Sequence, residues 1–206
     1  MNRVNPIASS VGPKVTTKSM TKISVLSVIA LILMYIDFPV TFIAPNFIKM
    51  DISDVPALIG GFAMGPMAGV SIEGIKVVLE IIFKGTTTGG VGELSNFLVG
   101  CAFVVPASLI YHYKKSYRTA FIGLLVGIMT MTLFATISNY FFIFPLYAKF
   151  MPMETIVAAG SAITSKVTDL WTLMVYCMAP FNILKGLAAS AVTMVLYKRV
   201  SPILHR

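Results

Sequence analysis

The polar residues of this chain that could recognise a small molecule are few, and they fall near the ends of apolar runs. Asn182 and Lys185 stand three apart at the start of the last run, so on a helix they share a face. Asn139 lies near the end of the run before it, Thr41 and Asn46 lie in the first loop, and a Thr- and Gly-rich stretch covers 86–92. An amide offers donors and an acceptor, and an ammonium offers donors only. Phe42, Phe47, Phe142 and Trp171 accompany them and could sandwich a flat ring. An apolar cavity with a few placed polar groups is the usual make-up of a small-molecule site. Each residue also has a plain structural role open to it. Asn139 can join two helices, Lys185 can snorkel to headgroups, and Trp171 can anchor an interface.

Bond-breaking chemistry finds little support. No G-x-x-x-x-G-K-[ST] phosphate loop and no G-x-S-x-G elbow occurs. The two histidines, His112 and His205, lie in basic flanks and form no zinc-like cluster. Cys101 and Cys177 sit far apart inside apolar segments and read as free thiols. No metal and no resident cofactor is expected.

The elements that must carry these residues are membrane helices. Of the 206 residues 57% are hydrophobic and 12% charged, against about 25% charged in a soluble domain. One crossing takes roughly 20 residues, so an all-α bundle of six transmembrane helices is expected. It divides into a cytoplasmic tail at 1–21, one membrane domain at 22–199 and a short cytoplasmic tail at 200–206. The first span is read at 23–40, with Pro39 at its far end. The loop 41–53 is apolar enough (Phe42, Ile43, Phe47, Ile48, Met50) to fold back onto the protein. Asp54 is read as the N-cap of a short second span and Pro56 as a first-turn proline. The third span, 67–83, carries Glu73, Lys76 and Glu80 on one face. Charges in lipid are costly, so this face should turn inward, first as an ion-pair network and second as ligand contacts. Spans at 94–111 and 119–144 follow, the latter stopped by Pro145. Residues 151–179 read as an outer helix or partial re-entrant segment, and the last span starts at Pro180 and ends at Tyr197.

Charge then sets orientation. Arg3, Lys14, Lys18, Lys22, Lys114, Lys115, Arg118, Lys198, Arg199 and Arg206 fall on the side of the termini, whereas Lys49, Lys84, Lys149 and Lys166 fall opposite. Ten against four predicts both termini in the cytoplasm. The net charge of +8 thereby reflects membrane flanks, and no nucleic-acid partner is expected.

Three segments carry a family resemblance: APNFIKMDISDVPALIG after the first span, KGTTTGGVGELSNF before the fourth, and PFNILKG opening the last. Together they resemble the riboflavin-binding S component of energy-coupling factor (ECF) transporters, over nearly all of 22–199. The resemblance implies high-affinity capture of riboflavin from outside a prokaryotic cell membrane. It implies partners as well, a membrane-embedded coupling component and two cytoplasmic ATPases, with toppling of the S component as the transport model. Carried over by position, Thr41, Ala44 and Asn46 would form a lid, and Asn139, Asn182 and Lys185 would hold the ligand. Asn139 and Asn182 would bond the polar edge of the isoalloxazine ring or the ribityl chain, and Lys185 a ring carbonyl or hydroxyl. Phe42 and Phe47 would cover the ring. One departure concerns docking: the A-x-x-x-A pattern of many S components is absent, and Ser24, Ser27 and Ala30 are left as a shallow groove for the coupling partner. Two other readings stay open, an S component for another vitamin such as thiamine or biotin, and a self-sufficient channel or facilitator.

Overall fold

The computed structural model describes residues 16–86, 88–150 and 152–204. Most of the expected N-terminal tail, with His205 and Arg206, lies outside these residues. Helical structure extends into both segments expected as tails, because α1 (Thr17–Tyr35) starts early and α9 (Ala179–Leu204) ends late. Thr16 caps α1: its hydroxyl accepts from the Ser19 amide at 3.2 Å, and the Ser19 hydroxyl accepts from the Thr16 amide at 3.0 Å.

α1 ends before Asp37, five residues short of the expected boundary. Phe38–Pro39 (β1) pairs antiparallel with Lys49–Met50 (β2), Phe38 opposite Met50. The hairpin folds back as its apolar content predicts, with Val40, Ala44 and Met50 buried against Phe181. Beyond β2 the chain descends into the bundle and starts α2 (Asp54–Met64). The N-cap is Ser53, not Asp54; the Asp54 carboxylate is held by Lys76 instead.

α2 is buried from Asp54 through Phe62, as suits a helix apolar on every side. It packs on α1, α3, α4 and α9 and supplies Val55, Ala57, Leu58, Ile59 and Phe62 to the main core. At 11 residues it is about 17 Å long, half the hydrocarbon thickness. Gly65, at φ 107°, reverses the chain into α3 (Pro66–Lys84), with Pro66 at its start. The expected inward turn of the charged face holds: Glu73 and Lys76 are fully buried.

α4 (Val91–Tyr113) and α5 (Tyr117–Ser138) approach closely. A Cβ on Gly123 would stand 2.6 Å from the Ala107 carbonyl oxygen, and one on Gly127 would stand 2.7 Å from that of Phe103. This G-x-x-x-G pair lets the two backbones touch.

Two prolines expected to bound helices lie inside them. α5 runs on through a π turn, Asn139–Ile143, into α6 (Phe144–Tyr147), one continuous helix of 31 residues. Likewise α8 (Leu170–Leu173) runs through a second π turn, Met174–Met178, into α9. A proline lacks the N–H for the i−4 bond and its ring crowds that carbonyl. The wider turn just ahead of Pro145 and Pro180 relieves both: the Phe144 amide bonds Asn139 O and the Ala179 amide bonds Met174 O, five residues back. The last long helix therefore begins about ten residues before Pro180. Asp169 caps it, and hydrogen bonds from the Thr172 amide and hydroxyl hold that carboxyl below the usual range. Of the segment 151–179, α7 (Met153–Ser161) packs through Ile156 against Leu173 and Phe144.

Four helical stretches of the described residues are long and apolar enough to cross a membrane: Thr17–Tyr35, Val91–Tyr113, Tyr117–Tyr147 and Leu170–Tyr197. Their outward faces are apolar too, with Val25, Ile32, Phe121, Leu133 and Leu187 exposed. Water would not tolerate so much exposed apolar surface; lipid does.

Candidate functional site

A cavity of about 450 Å³ opens at the end of the bundle away from Thr17 and Leu204. It is lined by the end of α1, the end of α3, the start of α4, the first π turn and the start of α9. Helices converge there without α2, which begins only at the cavity floor, so the fold itself leaves the space.

The floor is charged. Lys185 donates to Asp51 Oδ2 at 3.2 Å and lies 3.5 Å from Asp54 Oδ2. Asp51 also accepts the Ser53 amide at 2.8 Å, which fixes the turn leading into α2. Below it Lys76 reaches Asp54 Oδ1 at 3.0 Å, Ser53 Oγ at 3.1 Å and Glu73 Oε2 at 2.6 Å. Removing one member of a buried ion pair strands its partner, so this network locks the hairpin end, α2, α3 and α9 together.

The walls are amides and rings. Asn182 donates from Nδ2 to the Met178 carbonyl at 2.8 Å, which leaves its own carbonyl oxygen for a ligand donor. Asn139 accepts from Ser95 Oγ at 3.2 Å, which leaves its NH₂ group for a ligand acceptor. It thus also joins two helices. Asn96 lines the wall beside Ser95, and Phe47, Phe144, Tyr147 and Phe181 supply flat apolar surface. The mouth is ionic: Asp37 pairs with Lys49 at 3.0 Å and Lys84 at 3.7 Å, and Lys84 pairs with Glu80 at 3.8 Å. Thr88 donates to Glu93 at 3.0 Å across the second loop.

Four of the expected residues therefore meet in one cavity: Phe47, Asn139, Asn182 and Lys185. Thr41, Ala44 and Asn46 do not line it. Thr41 and Asn46 face outward, and Ala44 is buried under the hairpin. Phe42 is 76% exposed and points away, and Phe142 and Trp171 also face outward. The groove expected for a partner is largely closed. Ser27 and Ala30 are fully buried, Ala30 within the main core, and only Ser24 stays on the surface. Sequence reasoning missed Ser95, Asn96 and the ionic mouth. A carboxamide in the apolar run after the 84–93 loop was the available signal for Asn96.

The chain has relatives among known proteins. The chain is 35% identical over 189 residues to the riboflavin transporter RibU of Staphylococcus aureus, spanning 92% of this chain and 93% of that one. It is 34% identical over 186 residues to the riboflavin transporter FmnP of Bacillus subtilis, spanning 90% and 93%. A solved S component of a bacterial ECF transporter superposes with a TM-score of 0.71 at 34% identity, covering 92% of this chain and 98% of the other. The family description "ECF transporter, substrate-specific component" matches residues 18–197. By that match and these identities, this multi-pass membrane chain belongs to the substrate-specific components of ECF transporters.

Proposed function

We propose that this chain captures riboflavin as the substrate-binding subunit of an ECF transporter. The observation that carries the reading is the cavity, whose two unlike amides and aromatic walls suit a flat ring with alternating donors and acceptors. The names of its relatives supply the ring's identity. Asn139 offers donors and Asn182 an acceptor to the ring edge or ribityl hydroxyls, and Phe47 and Phe181 pack on the ring. In this reading α2 and α3 are crossings as well, the first completed by the descending chain at 51–53. The six crossings place both termini in the cytoplasm and the cavity outside, in line with the Lys and Arg asymmetry. A coupling component and two ATPases supply the energy, since the chain has no phosphate loop.

The closed floor favours capture over a channel: Lys185, Asp51 and Asp54 shut the cavity, and the core around α2 fills the space beneath. The test is an equilibrium titration of the purified chain with riboflavin, thiamine and biotin. Quenching of flavin fluorescence, with no response to the other two, is expected. A protein that ignores riboflavin and binds another vitamin overturns the assignment.

A further inference from the structure

Three carboxylates and two ammonium groups are buried together at and below the cavity floor: Asp51, Asp54 and Glu73 with Lys76 and Lys185, none more than 8% exposed. Fully ionised, the cluster would hold three negative charges against two positive. An unbalanced charge inside a membrane bundle is costly, and a buried group in that position takes or loses a proton instead.

The partners show where the proton belongs. Asp51 receives Lys185 and the Ser53 amide, and Asp54 receives both Lys76 and Lys185. Glu73 faces Lys76 alone, from Oε2, and neither of its carboxylate oxygens has a hydrogen-bond partner although the side chain is fully buried. Every element around Glu73 is accounted for. α2 presents Asp54, α3 presents Lys76, and α9 presents Lys185 from further off. The buried residues of α1 include no titratable group. α4 presents its backbone at Gly100, where a Cβ would fall 2.6 Å from Oε2, and the Cys101 thiol beside it. Lys76 serves Glu73 and Asp54 together, so the three carboxylates share two cations. We infer that Glu73 is a proton-binding site, a neutral carboxylic acid in the resting protein, and that its proton makes the five-group cluster electroneutral. This stands on the cluster alone, whatever the cavity binds.

Infrared spectroscopy of the purified full chain tests it. The chain has four glutamates, Glu73, Glu80, Glu93 and Glu154, so carboxyl-¹³C glutamate labelling separates them from the aspartates. Expected at neutral pH is the carbonyl stretch of a protonated carboxyl that shifts with the label. Glu73→Gln should abolish it, and Glu80→Gln, Glu93→Gln and Glu154→Gln should retain it. A wild type without that band, a band that ignores the label, or a band that survives Glu73→Gln overturns the inference. Should Glu73→Gln fail to fold, the other three variants still decide: loss of the labelled band in any one overturns it, and its retention in all three supports it.

Discussion

Lys185 stands between the ligand space and a buried ionic network, and the two roles respond differently to mutation. Lys185→Ala leaves Asp51 and Asp54 short of a cation. Breaking a buried pair from one side costs about 3–5 kcal/mol, so this variant should lose thermal stability as well as ligand binding. Adding Asp51→Asn should restore part of the unfolding temperature and none of the binding, which thermal melts and titrations of the single and double variants can check. Asn182→Ala is the cleaner probe. It removes one acceptor from the cavity, worth about 1–3 kcal/mol, or about one to two orders of magnitude in affinity, and, losing only the bond to the Met178 carbonyl, should shift the melt far less than Lys185→Ala. Asn139 and Asn182 were legible from sequence because a carboxamide in an apolar run needs a partner. Phe42, Thr41 and Asn46 were misplaced because their direction is set by the pairing of β1 with β2, a contact twelve residues long that local pattern does not encode. The lysine network was legible in part. The spacing of Glu73 and Lys76 put them on one face, but their meeting with Asp54 and Lys185 depends on tertiary packing.

At the scale of elements, the prolines were the least legible feature. Pro145 and Pro180 read as a helix stop and a helix start because proline breaks the i−4 ladder, yet a π turn before each keeps the helix whole. Both π turns border the cavity and set the direction of Asn139 and Asn182. Pro145→Ala removes the reason for the first wide turn and allows it to relax to an α-turn, which would rotate Asn139 away from Ser95. Riboflavin affinity should fall at least about tenfold, since a site loosened by about 1 Å loses its function, while the unfolding temperature holds or rises. Titration and melting of the same sample read both. The α4–α5 contact makes the opposite prediction. Gly127→Val drives a branched side chain into the Phe103 carbonyl; it should lower stability by about 1–3 kcal/mol, seen as an earlier melt. The membrane-helix class was legible because apolar length is, and four of the expected spans are helices long and apolar enough to cross; the early start of the last helix was hidden by the polar residues at 164–169.

In the whole molecule a lipid-facing exterior surrounds an ionic floor and a half-length buried helix. The proposed topology has a direct reading. Single cysteines placed in the loop at 114–116 should label only from the cytoplasmic side, and those at 88–90 only from outside, in cells treated with a membrane-impermeant thiol reagent. The family and the membrane class were legible because the three matching segments coincide with the site: the first with the hairpin and floor, the second with the cavity wall at Asn96, the third with Asn182 and Lys185. The docking surface was not. Small residues on α1 were equally suited to packing inward, and the bundle uses Ser27 and Ala30 that way.

Whether this cavity holds riboflavin can be read from one fluorescence titration of the vitamin into the wild type and Asn182→Ala, with melts run on both. Saturable quenching is expected in the wild type, with binding weaker by about ten- to a hundredfold in a variant that still melts cooperatively close to the wild type. Equal affinity in the two proteins would contradict it, because the ligand would then sit elsewhere.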